Sequence, residues 1–138
     1  KATTDPGDDY MDKPIVEEKG CAILKEGQYR GSHKIRLHGG KYPALGQKKD
    51  VTVYRDKNKD GKYDFDESKA DTGLFGINIH RATSRAGKTS TYVDKWSAGC
   101  QVIASNDDWT KFLKICERAK DIHGNSFSYT LINSKDIS

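Results

Sequence analysis

The feature that most constrains the fold is a succession of short β-like runs punctuated by turn residues, followed by one helical stretch. "CAILKEGQYR", "HKIRLHG", "VTVYR" and "LFGINIHRA" follow one another from Cys21, separated by clusters of Gly, Pro, Asn and Asp. In "LFGINIH" the apolar Phe75, Ile77 and Ile79 alternate with Gly76, Asn78 and His80, so a strand buries the first set and turns the second to the other face. "SNDDWTKFLKICERAKDIHGN" predicts a helix: Ser105 or Asn106 can cap it, acids come early, Arg118 and Lys120 come late, and Gly124 can end it. Trp109, Phe112, Leu113 and Cys116 form its apolar stripe at i, i+3, i+4, i+7, which makes Cys116 a core residue. "SFSYTLIN" alternates Phe127, Tyr129 and Leu131 against polar neighbours and predicts a last strand. The class is mainly β with one packed α-helix.

The chain has 138 residues, one domain's worth. Residues 1–20 are polar, hold two of the three prolines and show no periodicity, and are expected to be a flexible arm or linker before a domain spanning 21–138. The net charge of +4 is spread along the chain without a basic run, which argues against nucleic acid and is compatible with an anionic polymer. No apolar stretch reaches the roughly 20 residues needed for a membrane span, and the oligomeric state is not legible. Three cysteines make no disulfide framework and no C-x-x-C pair; an oxidising compartment permits a Cys21–Cys116 bond.

Cys100 stands apart. In "WSAGCQV" small residues precede it, which suits a tight turn where backbone N–H groups converge on a nucleophile. A thiol near neutral pH is barely ionised and needs a base. Of the four histidines, His33 and His38 flank a β-like run and His123 lies at the helix end, whereas His80 ends a strand whose following loop leads to Cys100. His80 is the candidate base, with Asn78 and Arg81 beside it as candidate substrate contacts. A catalytic Cys100 is then expected to label faster at neutral pH than a simple exposed thiol.

"IHRATSRAGKTSTYVDKWSAGC" resembles the signature of L,D-transpeptidase (YkuD-type) catalytic domains, in which a histidine is followed after about sixteen residues by Ser/Thr-x-Gly-Cys. The resemblance covers residues 74–102. It implies a β-sandwich-like fold and a cysteine that attacks a peptide carbonyl of bacterial peptidoglycan stems, forming a thioester outside the cytoplasm, in the cell envelope, as a secreted enzyme or on a phage particle. Cys100 would be the nucleophile and His80 its base. Ser97 would shape the turn or orient the imidazole, and the N–H groups of Gly99 and Cys100 would form part of the oxyanion hole. Ala98 stands where the family often has His, and Val102 where it has a polar residue. Transfer to an amine and hydrolysis share the same first half, so transpeptidase and peptidase both stand. The competing expectation is a non-catalytic, calcium-stabilised wall-binding or structural module.

A second signal is independent of the first. "DKNKDGKYDFDE" fits the twelve-residue calcium loop, with Asp56, Asn58 and Asp60 at positions 1, 3 and 5, Gly61 at 6, the Lys62 carbonyl at 7, Asp64 at 9 and Glu67 at 12. Ca²⁺ takes six to eight oxygens, roughly 2.3–2.6 Å away, and the glycine allows the sharp turn. "VTVYR" before the loop and "SKADTGLFG" after it do not suit the helices of an EF-hand, so an EF-like loop between strands is expected.

Overall fold

The computed structural model describes residues 2–4, 22–55, 70–89 and 99–137. Its strands are β1 (Ala2–Thr3), β2 (Ala22–Leu24), β3 (Gly27–His38), β4 (Tyr42–Gln47), β5 (Val51–Arg55), β6 (Asp71–Gly73), β7 (Ile79–Arg81), β8 (Gln101–Ile103) and β9 (Phe127–Leu131), with helix α1 at Asn106–His123. They form one sheet in the order β1-β8-β7-β4-β3-β9 and a second in the order β2-β5-β6. The described residues are thus mainly β with one long helix. Ala2–Thr3, inside the stretch expected to be an arm, pairs with β8.

Helix α1 forms as its sequence dictates. The Ser105 hydroxyl accepts from the Asp108 N–H at 3.3 Å, Asp107 and Asp108 face the positive end, and Gly124 closes it at φ 93°. Trp109 and Cys116 are buried and, with Phe112 and Leu113 partly covered, pack on Ala44, Leu45 and Ile79 of the large sheet. Burying an apolar side chain of this size contributes about 1.5–3 kcal/mol. A second cluster joins Ala22, Leu24, Val51 and Val53 of the small sheet to Ile77, with Tyr29, Phe75, Tyr129 and Leu131 against it. Tyr129 touches both clusters and ties the two together.

Two strand expectations need correction, and one strand is added. "CAILKEGQYR" is not one strand; it divides between β2 and β3, and β3 runs on through the whole of "HKIRLH". "YPALGQ" is absent from the expected strands, yet it forms β4 in the interior of the large sheet, although Pro43 cannot donate to a ladder. Pro43 is tolerated there because β4 meets β7 only at Leu45↔Ile79, two residues away. Finally, "LFGINIH" buries Ile77 and Ile79 as its alternation predicts, but only Ile79–Arg81 is strand. The reason is Gln47, whose buried Oε1 accepts the N–H groups of Phe75 (3.2 Å) and Ile77 (2.9 Å). Its Nε2 donates to the Gly73 and Lys49 carbonyls. A side chain thereby replaces the neighbouring strand as the partner of this backbone.

β3 and β4 are joined at His38–Gly39–Gly40–Lys41, where the Lys41 N–H donates to the His38 carbonyl at 3.0 Å. Gly39 (φ 57°) and Gly40 (φ 70°) occupy the left-handed region that this turn demands. The turn places His38 and Tyr42 opposite one another in the ladder. β5 and β6 pair antiparallel, and Arg55 Nε meets Asp71 Oδ2 at 2.7 Å where the strands part. The calcium-loop ligands Asp56, Asn58, Asp60, Lys62, Asp64 and Glu67 belong to the connection between these two strands and lie outside the described residues, as do Cys21 and Ser97.

Candidate active site around His80 and Cys100

β7 and β8 are the parallel pair in the large sheet, with Ile79↔Gln101, His80↔Val102 and Arg81↔Ile103 in register and the Gln101 N–H donating to the Asn78 carbonyl at 2.8 Å. Parallel neighbours cannot be joined by a tight hairpin, so the connection between them is long, and the sequence signature occupies it. One step back along the register, Cys100 lies beside Asn78. Asn78 and Cys100 immediately precede the two paired strands, and His80 pairs with Val102 inside them.

His80 is buried, and its Nδ1 lies 2.9 Å from the Arg81 carbonyl oxygen. A carbonyl only accepts, so Nδ1 carries the proton and the neutral ring keeps its lone pair on Nε2. Burial, opposed by the Arg81 hydrogen bond and reinforced by His38, holds the imidazole below its ordinary value of 6.5. His80 is therefore a neutral base at physiological pH. The His38 ring stacks on it at 4.5 Å, and the Asn78 amide Nδ2 reaches His38 Nδ1 at 3.4 Å while Asn78 Oδ1 accepts from the Gln47 N–H at 3.0 Å. Asn78 thus spans from β4 to His38.

Cys100 is half-buried, and its Sγ donates to the Gly76 carbonyl at 3.3 Å. Burial pushes the thiol above its ordinary value of 9.0, with partial relief from the Asn78 backbone. Burial therefore favours the neutral thiol, which opposes the fast labelling at neutral pH expected of a catalytic Cys100. Gly99 before it is buried at φ 134°, and a Cβ there would come within 2.8 Å of the Ala22 carbonyl oxygen. Only glycine lets the turn pass so close to β2.

Arg81 lays its guanidinium 3.9 Å from the centre of the Tyr42 ring. Burial raises the Tyr42 hydroxyl, Arg81 lowers it, and Cys100 raises it further, so sulfur, tyrosine and arginine share one electrostatic neighbourhood. His33 has a different role. Its Nε2 donates to the Ile77 carbonyl and its Nδ1 accepts from the Ser32 hydroxyl, each at 2.7 Å, in full burial. It is a satisfied core histidine that fixes the backbone leading into β7.

Of the residues expected at the site, Asn78, His80 and Arg81 run along and just before β7, with Asn78 and His80 both meeting His38, while Gly99 and Cys100 lead into the paired β8, with the Cys100 sulfur on the Gly76 carbonyl. His38, Tyr42 and Gln47 were missed as site residues. The "HGGKY" turn is the signal for the first two, since a two-glycine reversal brings its flanking aromatic rings together. Among the described residues no cluster of His, Cys, Asp and Glu is arranged to hold a metal, and no helix is long and apolar enough to cross a membrane. Comparison of the chain with family models, with curated proteins and with solved structures returns no match.

Proposed function

We propose that this chain is a cysteine-dependent acyl-transfer enzyme acting on peptidoglycan stem peptides, an L,D-transpeptidase-like transpeptidase or peptidase with a β-sandwich-like fold, working outside the cytoplasm. The observation that carries the reading is the pairing of β7 with β8, which brings the start of β8, directly after Cys100, alongside the strand that holds His80, whose tautomer leaves Nε2 as acceptor. A neutral thiol and a neutral imidazole call for proton transfer during attack, not for a preformed ion pair. The Cys100 sulfur turns from Gly76 and bonds to the peptide carbonyl carbon as Nε2 takes the thiol proton. The carbonyl oxygen becomes an oxyanion, stabilised by backbone N–H groups of the Gly99–Cys100 turn. On collapse the C–N bond breaks, the amine leaves with the proton from His80, and a thioester remains. An amine or water, deprotonated by the same imidazole, then attacks the thioester and releases the thiol.

Calcium belongs to this reading as a structural ion. Side-chain oxygens of Asp56, Asn58, Asp60, Asp64 and Glu67 and the Lys62 carbonyl would hold it in the β5–β6 connection, and the Arg55–Asp71 pair at that connection's base suits a loop anchored at both ends. One observation favours the second reading, a non-catalytic wall-binding module: the thiol is raised by burial and bonded to Gly76, as a structural cysteine would be. Incubation with purified peptidoglycan fragments followed by mass spectrometry separates the two. Cleaved or exchanged peptides support the enzyme, and binding without change supports the module.

A further inference from the structure

Beside His80 the fold leaves a cavity of about 460 Å³ whose lining includes His38, Lys41, Tyr42, His80, Arg81 and Thr83. Its charge is one-sided. Lys41 and Arg81 are permanent cations, and no acidic side chain lines it among the described residues. Arg81 is half-buried, laid on the Tyr42 ring and hydrogen-bonded to the Tyr42 hydroxyl, so its planar fork is already ordered; its remaining N–H groups can meet a planar oxyanion. Thr83 Oγ1 accepts from the Arg85 N–H at 3.2 Å, and its own proton is a further donor at the wall.

We infer that this cavity is a carboxylate-recognition site, in which Arg81 grips the free carboxylate of a peptide whose adjoining amide lies toward His80. The inference rests on the acyl-transfer reading for its orientation relative to the nucleophile. A carboxylate fits better than a phosphate because the two histidines are held neutral by burial, which leaves two cations, and because the Tyr42 ring and the buried Ala82 offer an apolar wall to the carbon skeleton next to the charge. Binding there would place a neutral imidazole beside the peptide without pairing it to the acid.

The test uses the full chain carrying Cys100→Ala, so that binding is read without turnover. N-acetyl-alanine and N-acetyl-alaninamide are titrated separately while the His38 and His80 imidazole resonances are followed by NMR. The carboxylate is expected to saturate these shifts at a concentration at least about tenfold lower than the amide, because a charged, bidentate contact is lost in the amide. Arg81→Gln should reduce the acid to the level of the amide, Arg81→Lys should retain part of the preference, and Arg85→Gln, outside the cavity lining, should leave it intact. Equal titration by acid and amide, or a preference that survives Arg81→Gln, overturns the site. Preference for the acid in a protein whose parent leaves peptidoglycan fragments unchanged keeps the site and rejects acyl transfer; turnover without the preference rejects the site alone.

Discussion

The imidazoles of His80 and His38 stack with centroids 4.5 Å apart and planes inclined by 23°. Burial lowers both imidazoles; a charge on His38 further disfavours the charged form of His80, and Arg36 further disfavours that of His38. The base that the mechanism needs is thereby kept neutral into mildly acidic conditions.

The acid limb of kcat/KM is accordingly expected below the ordinary histidine value of 6.5, since this limb reports the base of the free enzyme. Replacing His38 by Gln removes the like charge, raises the His80 value and moves the limb to higher pH, so that activity at pH 6 falls relative to pH 8. An imidazole NMR titration of His80 gives the same shift without substrate. An unmoved limb and an unmoved titration contradict the stacking argument.

Alkylation of Cys100 is expected to be slow at neutral pH. Its rate should rise about tenfold per pH unit and continue rising beyond the ordinary thiol value of 9.0, because the thiolate is the reactive form and burial disfavours it. A plateau near pH 7 would mean a preformed thiolate–imidazolium pair.

Gly99→Ala should cost about 1–3 kcal/mol in a denaturant melt, since the new methyl meets the Ala22 carbonyl in a backbone region that L-residues avoid. Because the turn that carries Cys100 must shift to relieve it, acylation should fall more steeply than stability. Parent-like stability would show that the turn has room that its geometry denies.

Chelation should lower the melting temperature, with calcium restoring it better than magnesium and Asp56→Ala or Glu67→Ala removing the response. Calcium at a hundred times its dissociation constant adds about 2.7 kcal/mol if it binds only the folded chain. A melt indifferent to chelator, in protein shown by elemental analysis to be calcium-loaded, leaves only an acidic turn.

Much of this architecture was legible because it depends on local periodicity. The α1 stripe, its Ser105 and Gly124 ends and the alternation of Phe127, Tyr129 and Leu131 are properties of neighbouring residues, and so is the burial of Ile77 and Ile79. Gln47 was not legible, because its amide stands in for a missing strand across a gap of 26 to 30 positions. The same holds for the site. The cysteine–histidine spacing singles out Cys100 and His80, but the His38 ring reaches His80 only through the pairing of β4 with both β3 and β7. The burial that raises the thiol is likewise a property of the packed β7–β8 edge and not of the residues around Cys100 in sequence.

The central claim is a covalent step at Cys100, and intact-protein mass spectrometry during incubation with peptidoglycan stem-peptide fragments tests it most directly. The account predicts an added mass equal to the acyl part of the peptide, mapped to the peptide containing Cys100, absent in Cys100→Ala and formed at least about a hundredfold more slowly in His80→Ala, in line with the usual contribution of a general base. An adduct that persists in Cys100→Ala, or fragments that are bound and returned unchanged by parent protein with no adduct formed, would contradict it.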